Sequence, residues 1–336
     1  MNKKILKISV VVSLLLFISV AALFAQEGAS GVRKKILLVH SYHAEYPWVA
    51  SITRGVMEAV KDSPVAVEIF YMDTKRQTTQ EWKAKSGKLA IEKIEQWQPD
   101  VVICADDNAQ IFVTQKYAGK EKPQFVFCGV NGEPADYGLL VPNVTGIVER
   151  PHFNESLDYL KIIIPNIRKA AVISDDGPTS IGAMDFIGRA NPEIKILDYH
   201  LIGSFDVWKQ RIIQYNVDAD VLCVYMYHTV KDKGAEQSLL PKDVMVWTRI
   251  NCMIPTIGFF DFAIEDGLLC GVVESGEEHG WEAANMALQI LNGTSPGTLP
   301  IKTAQKGLKM VNLKTAKHLG ISIPEQIIKE ADKVVE

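Results

Sequence analysis

Cysteine is scarce in this chain, and its spacing shows no pairing pattern. The cysteines are Cys104, Cys128, Cys223, Cys252 and Cys270. Their number is odd, and no two of them form a Cys-x-x-Cys motif, so neither a disulfide framework nor a cysteine-rich zinc site is indicated. Because several of them lie within apolar, strand-like runs, we predict that they are small buried hydrophobic residues.

The sequence also lacks the short motifs of common enzyme classes. Neither a G-x-G-x-x-G loop, a P-loop, an H-E-x-x-H helix nor a G-x-S-x-G nucleophile elbow is present. His40, His43 and His228 do not follow a tight metal-ligand spacing. We therefore predict that the protein is not an enzyme and binds neither a metal nor a cofactor.

Basic residues are fewer than acidic residues once the N-terminal residues are set aside. Residues 1–25 contain Lys3, Lys4 and Lys7 but no acidic residue. The remaining chain has 33 basic and 40 acidic residues, which gives a net charge of −7. This balance argues against nucleic acid and anionic lipid as partners.

One long apolar run is present, and it stands at the N-terminus. Three lysines precede residues 8–25, which are largely apolar and end at the small residue Ala25. This order is typical of a secretory signal peptide, so we assign residues 1–25 to one and predict a periplasmic or otherwise extracytoplasmic protein. An uncleaved membrane anchor remains the alternative, because the run is nearly long enough to span a bilayer.

The rest of the chain alternates between short apolar strands and amphipathic helices. The predicted strands cover residues 35–40, 65–72, 101–105, 124–129, 144–148, 169–174, 193–201, 221–227 and 254–259. Such alternation indicates parallel sheets covered by helices on both faces. Because the chain is too long for one ordinary core, we predict an α/β fold with two doubly wound parallel-sheet lobes.

The lobe boundaries follow from the breaks in this pattern. Proline-containing residues 142–153 form the first break, and residues 281–291 have the pattern of a helix that returns to the first lobe. The predicted organisation is lobe 1 over 33–146 plus about 277–300, lobe 2 over 147–276 plus about 301–325, and a C-terminal helix or tail over 326–336.

Ligands bind beyond the carboxyl ends of the strands in open parallel sheets, and this rule selects six segments. They are residues 40–48, 106–108, 130–132, 174–180, 225–228 and 258–261. If the two sheets oppose each other, all six segments face one cleft. Tyrosine, tryptophan and phenylalanine in them offer flat apolar walls, and their serine, asparagine and aspartate side chains offer hydrogen bonds.

From these segments we predict ten ligand-binding residues. They are Ser41, Tyr42, Trp48, Asp107, Asn108 and Asn131 in the first lobe, and Asp176, Ser180, Tyr227 and Asp261 in the second. Other interpretations stay open: residues 106–108 also suit a helix cap, residues 175–178 suit a plain turn, and Trp48 suits the core.

Arginine and lysine are nearly absent from the six segments, and their absence limits the charge that the ligand can carry. A multiply charged anion buried there would lack a counter-charge. A ligand with an amine and an apolar or aromatic body fits better, and a carboxylate on it would lie against backbone N–H groups at a helix N-terminus.

Several stretches resemble a known family. They are residues 34–48, 71–76, 99–109, 125–131, 143–149, 276–293 and 311–324, of which the terminal NLKTAKHLGISIP is the most specific. Together they resemble the extracytoplasmic substrate-binding proteins of an uncharacterised ABC-transporter group that includes tryptophan- and tyrosine-type binders. The resemblance implies a type I periplasmic-binding-protein fold, in which two α/β lobes are joined by three hinge strands and the ligand lies between them.

The implied function is reversible capture of a small molecule for an ABC importer. The expected ligand is an amino acid or a related amine-bearing compound, and the expected partners are that ligand and an ABC permease, with the protein a monomer. Residues 40–48 and 105–109 also resemble the sensor portions of some histidine kinases, so a receptor that contacts a sensor kinase is an alternative. A secreted hydrolase that uses two carboxylates of the cleft is a further one.

Overall fold

The computed structural model describes residues 33–305 and 307–336. The predicted signal peptide lies outside the described residues. The strands are β1 Lys34–His40, β2 Val65–Tyr71, β3 Val101–Ala105, β4 Gln124–Val130, β5 Val144–Val148, β6 Lys169–Ser174, β7 Lys195–Leu201, β8 Val221–Val224, β9 Thr256–Gly258, β10 Cys270–Val273, β11 Lys302–Thr303, β12 Leu308–Asn312 and β13 Lys333–Val335.

The helices cover the sheets and link most of the strands. They are α1 Pro47–Val60, α2 Gln80–Trp97, α3 Asp106–Phe112, α4 Phe153–Ile163, α5 Pro178–Arg189, α6 Phe205–Asp218, α7 Pro241–Asn251, α8 Asp261–Glu265, α9 Gly276–Leu291, α10 Leu313–His318 and α11 Glu325–Glu330. Thr79 caps α2 as its sequence position suggests, because its hydroxyl accepts a hydrogen bond from the Trp82 amide at 3.2 Å. Within the described chain, no helix has the length and apolarity needed to cross a membrane.

The first sheet has six strands in the order β11-β5-β4-β3-β1-β2, and all of its pairings are parallel. Its central strands are apolar along most of their length because both faces are covered. In β1, Leu37 and Val39 pack on the side of α2 and α3, whereas Ile36 and Leu38 pack on the opposite side, with α1 and α9. This alternation follows from the two-residue period of a strand.

The second sheet has seven strands in the order β13-β12-β10-β9-β8-β6-β7. It is parallel except where β12 runs antiparallel to β10. The sequence pattern does not predict β10 to β13, because these strands have two to five residues and the last three contain polar or charged residues. β11 pairs with β5 in the first sheet, although the predicted boundaries assign residues 301–325 to lobe 2.

The chain passes between the two sheets three times. The first crossing follows β5, the second lies between β10 and α9, and the third lies between β11 and β12. We call the first sheet with α1, α2, α3 and α9 the first lobe, and the second sheet with the remaining helices the second lobe.

Helix α9 packs closely against α1 after the second crossing. A Cβ atom on Gly280 would lie 2.0 Å from the Ile52 carbonyl oxygen, and one on Gly55 would lie 2.1 Å from the Glu277 carbonyl oxygen. Glycine at both positions lets the two backbones approach each other. This contact holds a C-terminal segment of the chain on the first lobe.

All of the cysteines are buried and unpaired among the described residues, as predicted. Burial raises the pKa of the Cys104 thiol to about 12. They act as small apolar residues in the sheets and in the loop after α7.

Candidate ligand-binding site

The two lobes face each other with the carboxyl ends of their parallel strands and are joined by side-chain hydrogen bonds. The Tyr42 hydroxyl of the first lobe lies 2.6 Å from the Thr179 hydroxyl of the second. The Tyr225 hydroxyl of the second lobe donates to Asn131 Oδ1 of the first at 2.6 Å. The lobes are therefore in contact across the cleft that the sequence predicts.

A cavity of about 170 Å³ lies between the lobes, and we call it the cleft cavity. Its lining comprises Tyr42, Thr74, Lys75, Thr78, Lys83 and Asn108 from the first lobe and Asp176, Gly177, Pro178, Thr179, Thr229 and Lys231 from the second. The cavity is smaller than the roughly 300–1,000 Å³ of a pocket for a drug-sized ligand. Its size favours a compact occupant.

Three of the ten predicted ligand-binding residues line the cleft cavity: Tyr42, Asn108 and Asp176. Tyr42 is buried and follows β1, whereas Asn108 belongs to the short helix α3 after β3. Asp176 follows β6 and is exposed. The strand-end rule therefore identifies residues from both sides of the same cavity.

Buried polar atoms without a partner lie in the cavity wall. Asn108 Nδ2 donates to Thr74 Oγ1 at 2.8 Å, but Asn108 Oδ1 has no hydrogen-bond partner in the described structure. The hydroxyls of Thr78 and Thr229 also have no partner there. Because a buried polar group without a hydrogen bond is costly, these atoms suit contact with a polar ligand.

Lys75 is a buried cation at the centre of the cleft, with 4% of its surface exposed. Its Nζ lies 4.6 Å from the centre of the Tyr42 ring and 5.5 Å from that of Tyr46, which is within cation–π range. Burial lowers the pKa of the Lys75 ammonium, while Asp175 and Asp106 act in the opposite direction. Lys75 lines both the cleft cavity and a larger outer groove of about 720 Å³, which also has walls from both lobes.

Two further lysines line the cleft cavity, and they come from outside the six predicted segments. Lys83 lies near the start of α2, and Lys231 lies in the segment after β8. Burial lowers the pKa of Lys83, and the nearby Lys231 lowers it further. An anion in this cavity would therefore have counter-charges, contrary to the expectation from the six segments, because all three lysines lie outside those segments.

Ser41 and Asp107 organise the first lobe instead of lining the cavity. The Ser41 hydroxyl donates to the Ala105 carbonyl at 2.7 Å and accepts from the Ala109 amide at 2.8 Å. Asp107 Oδ1 accepts hydrogen bonds from the amides of Asn131 and Gly132 and from the Tyr137 hydroxyl. Ser41 thus ties β1 to the start of α3, and Asp107 ties α3 to the loop after β4.

Trp48 and Asn131 lie deeper, at the contact between the lobes. Trp48 Nε1 donates to Asp106 Oδ1 at 2.9 Å, and its ring packs edge-on against Phe260 of the second lobe. Asn131 accepts from Tyr225, as described above, and its Nδ2 has no partner within the described structure. Both are buried, so their contacts hold the lobes together behind the cavity.

The remaining predicted residues belong to the interior of the second lobe. The Ser180 hydroxyl lies 2.5 Å from Asp175 Oδ1, and the Tyr227 hydroxyl donates to Asp266 Oδ2 at 2.7 Å. Asp261 begins α8, where its Oδ1 accepts from the Phe262 amide. None of Ser180, Tyr227 and Asp261 is part of the cleft cavity lining.

Acidic residues cluster behind the cavity in a buried region. Burial raises the pKa of Asp106 well above its ordinary value, and neighbouring Asp107 adds to the rise. Burial likewise raises the pKa of Glu149, where Glu274 adds to the rise. These carboxyl groups therefore favour their protonated forms more than exposed carboxyl groups do.

The second crossing contains a buried acid–histidine pair. Glu274 Oε2 lies 3.4 Å from His279 Nε2, and His279 Nδ1 accepts a hydrogen bond from the Gly129 amide. Because Nδ1 is an acceptor, the ring proton belongs on Nε2 and points to Glu274. Burial lowers the pKa of His279 to about 4 and raises that of Glu274 to about 8, so both side chains are mainly neutral at neutral pH.

Most of the cavity residues outside the six predicted segments also follow strands. Thr74, Lys75 and Thr78 follow β2, and Thr229 and Lys231 follow β8. The rule that ligands bind beyond strand ends applies to β2 as well, although the end of β2 lies outside the six predicted segments. Lys83 lies on a helix, where no strand-end rule would find it.

The histidines of the cleft do not assemble a metal centre. Among the described residues, no group of three or more histidine, cysteine, aspartate or glutamate side chains is arranged to hold a metal ion. Instead, His40 Nε2 lies 2.9 Å from the Thr53 hydroxyl, and the His228 ring packs edge-on against Tyr46.

The sequence model of the ABC transporter substrate binding protein family matches residues 42–335. The chain belongs to this family. No curated protein matches this substrate-binding protein. The match spans both lobes and all three crossings between them.

Solved structures similar to this substrate-binding protein have the same two-lobed architecture. A conserved domain protein from Vibrio cholerae is 18% identical, with a TM-score of 0.70 and coverage of 90% of this chain and 99% of that chain. The ABC domain of Streptococcus pneumoniae in complex with L-Trp is 18% identical, with a TM-score of 0.69 and coverage of 90% and 100%.

A third similar structure is the ligand-free, open form of a substrate-binding protein with adhesive properties from Clostridium difficile. It is 19% identical, with a TM-score of 0.65 and coverage of 90% of this chain and 99% of that chain. At these identities the likeness concerns the fold, and the predicted type I periplasmic-binding-protein fold of this substrate-binding protein is confirmed.

Proposed function

We propose that this protein captures a small solute between its lobes outside the cytoplasm and delivers it to an ABC permease. The observation that carries this proposal is the cleft cavity, because both lobes line it and buried polar atoms in its wall have no partner among the described residues. Membership of the substrate-binding family supports a transport role.

The proposed ligand is an amino acid or a related amine-bearing compound. Asn108 Oδ1 is an acceptor without a partner in the described chain, which suits an N–H donor on the ligand. The Tyr42 ring forms an apolar wall beside it. The similar Streptococcus pneumoniae protein holds L-Trp, which supports an amino-acid ligand, although the cleft cavity favours a smaller molecule.

The proposed mechanism is closure of the two lobes around the solute. Ligand contacts that exist only when the lobes are together stabilise the closed form, whereas contacts to one lobe do not shift the equilibrium. Tyr42 and Asn108 would supply one side of the site, and Thr179 and Thr229 the other. The open, ligand-free form of the Clostridium difficile protein supports such a motion.

The proposed location is the periplasm or another extracytoplasmic space, and the proposed state is a monomer. The order of lysines and apolar residues over 1–25 supports secretion. The proposal includes release of the solute without chemical change, as the family's description as substrate-binding proteins suggests.

A thermal-shift screen of the purified protein tests the proposal. The panel contains amino acids, amines and nucleosides, and a ligand at 100 times its Kd should add about 2.7 kcal/mol to the free energy of unfolding. We expect at least one amine-bearing compound to raise the melting temperature. Mass spectrometry of the compound recovered after denaturation should show the original molecule.

Two results would contradict the proposal. The first is a panel in which nothing raises the melting temperature at millimolar concentration. The second is recovery of a chemically altered compound after incubation, because a transport protein returns its solute intact.

A further inference from the structure

The cleft cavity has a strong imbalance of charge. Lys75, Lys83 and Lys231 line it, while Asp176 is the acidic residue of its described lining. Three lysines and one aspartate therefore line a cavity of about 170 Å³, and the buried acids Asp175 and Asp106 act on Lys75 from outside this lining. The three lysines come from separate segments, which follow β2, lie in α2 and follow β8.

Two of the three lysines are buried, and Lys231 is partly buried. Lys75 and Lys83 are 4% and 7% exposed, respectively. Lys231 and Lys75 both lower the pKa of Lys83, which means that the Lys83 ammonium group is repelled by the other two. Burying like charges is unfavourable unless opposite charges accompany them. The buried acids Asp175 and Asp106 favour the charged form of Lys75, whereas Asp176, the acid that acts on Lys83, is exposed.

The start of a helix and a buried hydroxyl also belong to the cavity lining. The N-terminus of the twelve-residue helix α5 contributes Gly177, Pro178 and Thr179 to the lining. A helix N-terminus carries a partial positive charge that favours anions, and the buried Asp175 already accepts the Gly177 amide at this helix start. The Thr229 hydroxyl is also in the lining, is more than nine-tenths buried and has no partner among the described residues.

One acceptor interrupts this positive lining. Asn108 is 3% exposed, and its Nδ2 is already used in the bond to Thr74 Oγ1. The Thr74 hydroxyl in turn donates to the Ser41 carbonyl at 2.7 Å, which fixes the direction of the Asn108 bond. Asn108 Oδ1 is therefore an acceptor that requires a donor from the occupant.

We infer that the cleft cavity selects a compact organic acid that also carries an N–H or O–H donor. Its acid group would lie among Lys75, Lys83 and Lys231 near the start of α5, and its donor would reach Asn108 Oδ1. Small amino acids and small hydroxy acids have this chemistry. The inference rests on the proposed function and narrows its ligand from amine-bearing compounds in general to compact acids.

Matched ligands test the requirement for the acid group. Isothermal titration would compare L-alanine, L-serine and L-lactate with alaninamide, serinamide and lactamide, which have the same shape without the carboxylate charge. We expect a compact acid to bind at least tenfold more tightly than its amide. L-Tryptophan, a large acid, should bind more weakly than the best compact acid.

Variants of two lysines test the location of the acid group. Lys83→Met and Lys231→Met should each weaken binding of the best acid by about three- to tenfold while leaving the affinity for its amide unchanged. Lys233→Met is the matched control, because Lys233 is an exposed neighbour of Lys231 outside the cavity. Far-UV circular dichroism and unfolding curves establish that each variant is folded.

The outcomes separate this inference from the proposed function. Equal affinity for acid and amide, unchanged acid affinity in both lysine variants, or preferential binding of L-tryptophan would overturn the compact-acid inference while leaving solute capture intact. Absence of binding by all six compact compounds would also overturn it. Failure of the wider panel of amino acids, amines and nucleosides, or recovery of a chemically altered compound, would contradict capture itself.

Discussion

The hydroxyls of Tyr42 and Thr179 lie 2.6 Å apart and join the two lobes at the edge of the cleft cavity. Tyr42 follows β1 in the first lobe, whereas Thr179 lies at the start of α5 in the second lobe. The bond therefore exists only when the two lobes are together. It therefore belongs to the closed form and contributes to the affinity for any ligand that this form encloses.

Replacement of Tyr42 by phenylalanine removes this bond and keeps the ring beneath Lys75. We expect Tyr42→Phe to weaken ligand binding by about 0.5–1.5 kcal/mol, roughly two- to tenfold in Kd. Titration calorimetry with the best compound of the screen measures the change. Tyr199→Phe is the control, because Tyr199 lies partly exposed on β7. Equal affinities for the two variants would show that the bond does not stabilise the liganded form.

The acid groups of Asp107 and Asp176 have different roles, and alanine substitutions distinguish them. Asp107 accepts three hydrogen bonds that hold the loop after β4. Asp107→Ala should lower the free energy of unfolding by about 2–4 kcal/mol, because it leaves buried donors unpaired.

Asp176→Ala is the matched comparison, since Asp176 is exposed and lines the cavity. It should change the free energy of unfolding by less than about 0.5 kcal/mol and should alter ligand affinity. Urea unfolding and ligand titration of both variants test the distinction. A stable Asp107→Ala protein with greatly weakened binding would instead assign Asp107 to the ligand site.

The close crossing of α1 and α9 gives a stability prediction. Gly280→Ala would put a Cβ atom 2.0 Å from the Ile52 carbonyl oxygen, so the two helices must move apart. We expect a loss of about 1–3 kcal/mol in the free energy of unfolding, despite the higher helix propensity of alanine.

Gly188→Ala provides the control for helix propensity. Gly188 is near the end of α5, and a Cβ atom there meets nothing within 4 Å. This variant should be neutral or more stable by up to about 1 kcal/mol. If Gly280→Ala matches it in urea unfolding, α9 does not pack against α1 as described.

The buried acid at the second crossing predicts a dependence of stability on pH. Burial raises the pKa of Glu274 to about 8 from an ordinary value of 4.5, so the folded state holds a proton that the unfolded state has released. The contribution of this proton to the free energy of unfolding is complete below pH 4.5 and is lost as the pH rises to about 8. Over this range the free energy of unfolding falls by at most about 1.4 kcal/mol per pH unit.

Glu274→Gln removes this titration while retaining the shape of the side chain. Its free energy of unfolding should fall less than that of the unmodified protein between pH 5 and pH 8. Glu236→Gln, at an exposed position, should behave as the unmodified protein does. Parallel unfolding profiles for the protein and Glu274→Gln over this range would contradict the assignment.

The sequence predicts most of the central strands because these strands are apolar and flanked by amphipathic helices. It does not predict β11, which has two exposed residues, because its role depends on pairing with distant β5. Likewise, the antiparallel pairing of β12 with β10 depends on where the third crossing returns the chain.

The site is predictable only in part, for a related reason. The strand-end rule finds Tyr42, Asn108 and Asp176, because each follows a recognisable strand. The same rule gives no distinction between a side chain that lines a cavity and one that ties loops together, such as Ser41. Lys83 enters the cavity from a helix that packs beside the cleft, and only the tertiary arrangement reveals it.

In the proposed mechanism, two hinged lobes enclose a solute and leave it unchanged. Small-angle X-ray scattering of the purified protein, with and without a saturating concentration of the best compound, tests it most directly. We predict a smaller radius of gyration in the presence of the compound, with the scattering curve of the closed arrangement. An unchanged radius of gyration despite saturation confirmed by calorimetry would contradict capture by closure.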